Sequence, residues 1–149
     1  MAALCAARIP AVGLFGVVRA SRKSGPWGFV GTDLGVDRDA INGVLNSRRV
    51  PVIATLALGP DCLLNVNGDE TAAAVAVGMQ SSELVFLTDV EGVRNADGAV
   101  IDHVADVAAL LGAAFVTGGM RPKLRAVQSA MEGGVSEVRI GRTIFGRKP

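Results

Sequence analysis

Leu63-Leu64-Asn65-Val66-Asn67-Gly68-Asp69-Glu70-Thr71-Ala72-Ala73-Ala74-Val75-Ala76-Val77-Gly78 opens as a short apolar strand, turns polar from Asn65 to Asp69, and closes as a helix that is apolar on nearly every side. A helix apolar all round is a buried helix. Two amides, a glycine and a carboxylate therefore stand where a strand end meets the start of a buried helix. In parallel α/β proteins that position, beyond the carboxyl ends of the strands, is where ligands bind. Gly68 lets a backbone come close, and Asp69 is suited both to cap the helix and to face a ligand. A capped turn with no ligand accounts for the same residues, and this stretch alone does not separate the two.

Working outward, strand and helix patterns alternate on both sides. Upstream, Ala11 to Val18 reads as a buried strand interrupted at Gly13 and Gly16, and Ser21 to Trp27 reads as loop. Phe29 to Gly31 fits a short strand. Asp37 to Arg48 reads as a helix, with Ile41, Val44 and Leu45 on the 3.6 period and Asp37 as N-cap. Pro51 to Leu58 is a continuous apolar run, expected to be one buried parallel strand. Downstream, Glu83 to Leu87 is another such strand. Asn95-Ala96-Asp97-Gly98 signals a turn, Asp102 to Leu111 a helix, Met120 to Glu132 a second helix and Val135 to Ile140 a final strand. The alternation predicts an α/β fold with a mainly parallel sheet.

The chain has 149 residues, which suits one domain. Residues 1–10 are open between a disordered and a remnant segment. Half the residues are hydrophobic and 19% are charged, enough for a sizeable core. The net charge of +1 argues against a general nucleic-acid binder. No apolar run reaches the ~18 residues of a membrane helix. Cys5 and Cys62 form no metal or disulfide pattern. Reduced thiols make a cytoplasmic location the expectation. Residues 1–32 carry Arg8, Arg19, Arg22 and Lys23 but no acid, which keeps organellar import open.

Three polar clusters fall at strand ends. The first is Asn65, Asn67 and Asp69. The second is Thr88-Asp89-Val90-Glu91-Gly92-Val93, which a plain strand terminus would also explain. The third is Val116-Thr117-Gly118-Gly119-Met120-Arg121-Pro122-Lys123-Leu124. There a helix starts after two glycines, with Pro122 in its first turn. Arg121 and Lys123 at that end oppose the helix macrodipole by ~0.3–1 kcal/mol each. An anion at the site would reconcile them, since N–H groups, glycines and a lysine together bind phosphate. Side chains simply turned to water are the other reading. Together the clusters point to phosphoryl transfer, whose transition state needs cations around the transferring group. Lys123 suits that role. Asp69 has no neighbouring base and suits the orienting of lysines or donors. There is no GxxxxGK[ST] loop, and the lone histidine, His103, excludes a multi-histidine metal site; it reads as a surface residue at a helix start.

Asn65-Val66-Asn67-Gly68-Asp69-Glu70, Leu87-Thr88-Asp89-Val90-Glu91-Gly92-Val93 and Gly118-Gly119-Met120-Arg121-Pro122-Lys123-Leu124 resemble the amino-acid kinase superfamily, and acetylglutamate kinases most. All three motifs agree in order and spacing, over about Ala11 to Ile140. The resemblance implies a three-layer αβα sandwich. It implies transfer of a phosphoryl group from ATP, with Mg2+ carried on the nucleotide phosphates, to the side-chain carboxylate of N-acetyl-L-glutamate. On the same ground Lys123 and Asp69 are catalytic, and Asn65 and Asn67 bind the acceptor. Thr88, Asp89, Val90, Glu91, Gly92, Val93 and Arg94, with Phe115, Val116, Thr117, Gly118 and Gly119, bind the nucleotide. No protein ligand to a metal is implied, and a homo-oligomer stays open.

The sequence also departs from the family. Gly68-Asp69-Glu70 stands where Ala-Asp is usual. The Lys-x-Gly-Gly strand, second Gly-Gly loop and substrate-carboxylate arginine of the amino-terminal lobe have no counterpart, and little room follows Ile140 for a last helix and strand. The chain is thus expected to be a truncated, nucleotide-binding half. A related kinase acting on aminoadipate, glutamate, aspartate or UMP and a non-catalytic nucleotide-binding remnant are the alternatives.

Overall fold

The computed structural model describes residues 2–146, which divide after Thr71 into two compact units. In the first unit, helix α1 (Ala2–Ala6) has no buried residue. Strand β1 (Ala11–Leu14) is followed by β2 (Val18–Arg22), β3 (Gly31–Val36), helix α2 (Arg38–Asn46), then β4 (Val50–Ile53), β5 (Leu56–Leu58) and β6 (Leu63–Asn65). Asp37 caps α2 as expected, its Oδ1 accepting from the Ala40 N–H at 3.1 Å. Arg48, in the left-handed region at φ 56°, turns the chain out of that helix.

Two apolar runs each divide into two strands. Ala11 to Val18 breaks at Gly16, which has φ 75°, giving β1 and β2. Pro51 to Leu58 breaks at Ala54-Thr55. β4 then pairs in parallel with β1, while β5 pairs in parallel with β2 and antiparallel with β6. Burial is corrected along with pairing: within the two runs only Val17, Val18 and Ala57 are buried and Leu56 and Leu58 are exposed, as is Leu87 at the end of the run from Glu83, because strands this short present only part of their apolar residues to a core. Ser21 and Arg22, expected in a loop, extend β2 through its antiparallel pairing with β3. Gly31, at the start of β3, must be glycine: a Cβ there would lie 2.8 Å from both Ala20 Cβ and Val66 Cγ1. Val17, Val18, Ile41, Ala57, Leu64 and Val66 form the buried interior of this unit.

Helix α3 (Gly68–Gly78) contains the division between the units. The second unit holds the rest of α3, then β7 (Glu83–Phe86), β8 (His103–Val104), α4 (Val107–Gly112), α5 (Met120–Glu132), β9 (Glu137–Ile140) and β10 (Thr143–Gly146). Its sheet runs β7-β9-β10-β8, with β7 parallel to β9, β10 parallel to β8, and β9 antiparallel to β10. Phe86, Val138, Ile140 and Phe145 from the sheet meet Ala73 and Ala76 of α3, Val107 and Leu110 of α4, and Leu124, Val127 and Ala130 of α5 in one core.

The expected helix from Asp102 begins only at Val107, behind the Asp106 cap, because His103 and Val104 are drawn into the sheet beside β10. His103 is accordingly half-buried rather than a surface residue, and its Nε2 is buried without a hydrogen-bond partner. The chain after Ile140, where little room was expected for a last helix and strand, forms strand β10 through a tight turn at Gly141, φ 54°. The α/β class with parallel strand pairs holds in both units. No helix among the described residues is long and apolar enough to cross a membrane.

Candidate functional site

The second unit carries a shallow cleft of about 190 Å³. Its walls are the segment after β7, through Val90, Gly92, Val93 and Arg94, and the segment entering α5, through Phe115, Val116, Thr117 and Met120. Strand β7 ends at Phe86. Thr88 and Asp89 follow, the Thr88 hydroxyl donating to Asp89 Oδ1 at 3.2 Å. Glu91 stands beside the cleft and pairs with Arg94 Nη2 at 3.2 Å, while Arg94 Nη1 donates to the Gly98 carbonyl at 2.7 Å. The Asn95 to Gly98 turn is formed as expected: Asn95 Oδ1 accepts from the Asp97 and Ala99 N–H groups, and Gly98 takes φ 82°. That turn returns the chain so that the Ile101 N–H donates to the Val93 carbonyl at 2.8 Å.

The other wall leads straight into a helix. Gly118 takes φ 57°, and Gly119, in helical geometry, starts α5 without any side-chain cap. A Cβ at either glycine would meet nothing within 4 Å, so this helix start is open to a close ligand. Arg121 is exposed but anchored to the chain. Its Nε donates to the Val116 carbonyl at 2.9 Å and fixes the wall from behind. Lys123 is half-buried, with Nζ 5.1 Å from the centre of the Phe86 ring at the end of β7. An ammonium over an aromatic face is attracted by the ring's quadrupole, which helps to hold it in place. The arrangement thus offers walls of mixed polarity, open glycines at a helix N-terminus and an ammonium set over an aromatic ring.

The acceptor candidates belong to the first unit. Asn65 ends β6, its N–H donating to the Phe29 carbonyl at 2.7 Å. Asn67 is the cap of α3: its Oδ1 accepts from the N–H groups of Asp69 at 2.9 Å and Glu70 at 3.1 Å. The Thr71 hydroxyl donates to the Asn67 carbonyl at 2.8 Å. The expectation that Asp69 caps the helix is therefore corrected. The helix begins one turn position earlier, at Gly68, which places Asp69 inside its first turn.

Val90, Gly92, Val93, Arg94, Phe115, Val116 and Thr117, expected from the sequence, meet around one cleft. Thr88, Asp89, Glu91, Gly118 and Gly119 adjoin it along the chain. Met120 was absent from the expected set; its apolar side chain directly after the two glycines was the available signal. Among the described residues no group of three or more His, Cys, Asp or Glu side chains could hold a metal ion.

The model of the amino acid kinase family matches residues 1–142. This chain belongs to that family. Acetylglutamate kinase of Koribacter versatilis is 39% identical over 148 residues, covering 93% of this chain and 57% of that protein. Acetylglutamate kinase of Symbiobacterium thermophilum is 38% identical over 165 residues, covering 98% of this chain and 55% of that protein. The chain thus spans about half the length of the curated relatives it matches. A crystal structure from Streptococcus mutans UA159 superposes with a TM-score of 0.86 at 26% identity, covering 99% of this chain and 65% of the other. N-acetylglutamate synthase from Neisseria gonorrhoeae, solved with coenzyme A and N-acetyl-glutamate, superposes equally well at 22% identity, covering 99% of this chain and 40% of its own; at that identity the likeness is one of fold.

Proposed function

We propose that this chain is the nucleotide-binding part of an acetylglutamate-kinase-type phosphotransferase. Mg-ATP is its nucleotide, with magnesium carried on the phosphates. The cleft is smaller than the ~300–1,000 Å³ usual for a whole small-molecule ligand. It therefore takes the base and part of the ribose, between Val90 to Arg94 and Phe115 to Met120. The phosphates run out toward Gly118 and Gly119, with Thr88, Asp89 and Glu91 along the rim.

The acceptor in this reading is the side-chain carboxylate of N-acetyl-L-glutamate, bound through Asn65 and Asn67. One carboxylate oxygen attacks the γ-phosphorus, the bond from that phosphorus to the bridging oxygen breaks, and ADP leaves with the electron pair. The product is an acyl phosphate, a step of arginine biosynthesis. Lys123 stabilises the charge on the transferring group. Such a charge-stabilising contact works best where water is scarce, and the place of Lys123 over Phe86 supports that role. Asp69 organises the cations around the transfer.

The observation that carries the reading is the meeting of two separate motifs around one cleft, at the end of β7 and the start of α5. A second reading, a nucleotide-binding module without turnover, is favoured by the share of the relatives that the chain spans. Positioning two substrates accounts for roughly 7–11 kcal/mol of a barrier, so the 149 residues by themselves are expected to bind nucleotide with little turnover. ADP release, coupled to NADH oxidation, separates the readings when run on this chain and on a form extended to the relatives' length. Acetylglutamate-dependent ADP formation by the extended form is expected. A preference for aminoadipate, glutamate, aspartate or UMP would move the acceptor, and no turnover with any of them would leave the binding module.

A further inference from the structure

The Gly141-Arg142-Thr143 turn plays no part in the motifs above, yet it meets the nucleotide segment at Glu91, Gly92 and Val93. Thr143 is fully buried, and its Oγ1 accepts from the Val93 N–H at 2.8 Å, across a sequence separation of 50 residues. The Arg142 N–H donates to the Glu91 carbonyl at 2.7 Å. Between these two bonds the chains are pressed together. A Cβ on Gly92 would come within 2.6 Å of Thr143 Oγ1, and one on Gly141 would run into the Glu91 carbonyl oxygen. Gly92 and Val93 line the cleft.

We propose that Thr143 is a positioning residue for nucleotide binding. Its hydroxyl holds the Val93 N–H and thereby sets Gly92 to Arg94 as a ready-made wall. The inference rests on the nucleotide reading of the cleft. A buried N–H deprived of its acceptor drives the backbone to seek another partner, because leaving it unmade is costly. Without the Thr143 hydroxyl the segment relaxes toward water in the free protein. Each binding event must then restore the wall, and affinity falls.

The test compares Thr143→Val, which keeps the shape and loses the acceptor, with Thr143→Ser, which keeps the acceptor. Calorimetric titration of the full chain with Mg-ADP is expected to show Kd raised about tenfold in Thr143→Val, equivalent to 1.4 kcal/mol, and near wild type in Thr143→Ser. Val138→Ala, in the same core but with no hydrogen bond to the segment, serves as the control for general destabilisation and should leave Kd unchanged. Amide exchange at Val93 should quicken in Thr143→Val alone. Equal Kd and equal Val93 exchange in all variants would overturn the proposal, as would a serine variant as weak as the valine one. Wild-type chain that takes up no Mg-ADP would instead remove the nucleotide reading itself, and the positioning role with it.

Discussion

Gly92 and Gly119 both touch the candidate site, and the structure gives them opposite answers to the same change. In Gly92→Ala the new methyl would sit 2.6 Å from Thr143 Oγ1, 2.8 Å from Val100 Cγ1 and 3.3 Å from the Thr143 backbone nitrogen. Reaching ordinary contact at 3.4 Å needs a displacement of several tenths of an ångström against two sides at once. Neither side is the loose end of a long chain: Thr143 is buried in β10 and Val100 is tied to Arg94. Overfilling of this kind costs about 1–3 kcal/mol. For a chain of this size Tm should fall by roughly 2–4 °C for each kcal/mol. Gly119→Ala meets nothing within 4 Å, and its φ of −65° suits alanine, so its Tm should stay near wild type. On the proposed nucleotide reading its methyl would nevertheless stand where a phosphate approaches the helix start, so Mg-ADP affinity should drop by an order of magnitude or more. Differential scanning calorimetry and nucleotide titration on both variants check this. Gly92→Ala with wild-type Tm, or Gly119→Ala with wild-type Kd, would refute the reasoning.

Two further outcomes follow from other parts of the chain. Leu124, fully buried in α5, should cost about 2–5 kcal/mol as Leu124→Ala, read from urea denaturation. Burial raises the Cys62 thiol pKa, and the hydrogen bond and charge of Asp61 raise it further, so less thiolate is present at mildly alkaline pH. Iodoacetamide should therefore alkylate Cys62 faster in Asp61→Asn than in wild type at the same pH, and an unchanged rate would remove Asp61 as a cause.

The elements that were legible were those with local signals. Asp37 and its helix, the Asn95 to Gly98 turn and α5 after two glycines all follow from caps, turns and period. What the sequence hid was pairing. The run from Pro51 to Leu58 serves two sheets, and His103-Val104 becomes a strand because β10 lies beside it, a fact decided some 40 residues away. The walls of the cleft were legible because both are contiguous motifs. The Thr143 contact was not, because a buried threonine in a strand has no sequence mark that distinguishes a hydrogen-bonded hydroxyl from a packed methyl. Asn67 shows the opposite case: its cap bonds were visible in type but assigned to Asp69, because both residues favour that position.

The nucleotide reading of the cleft is tested most directly by titrating Mg-ADP into uniformly ¹⁵N-labelled chain and following every backbone amide. The account predicts saturable shifts concentrated at Val90 to Arg94 and Phe115 to Lys123, reduced in Lys123→Ala and not fully restored in Lys123→Arg, whose fork replaces a point charge. Shifts centred elsewhere, or none at millimolar nucleotide, would contradict it.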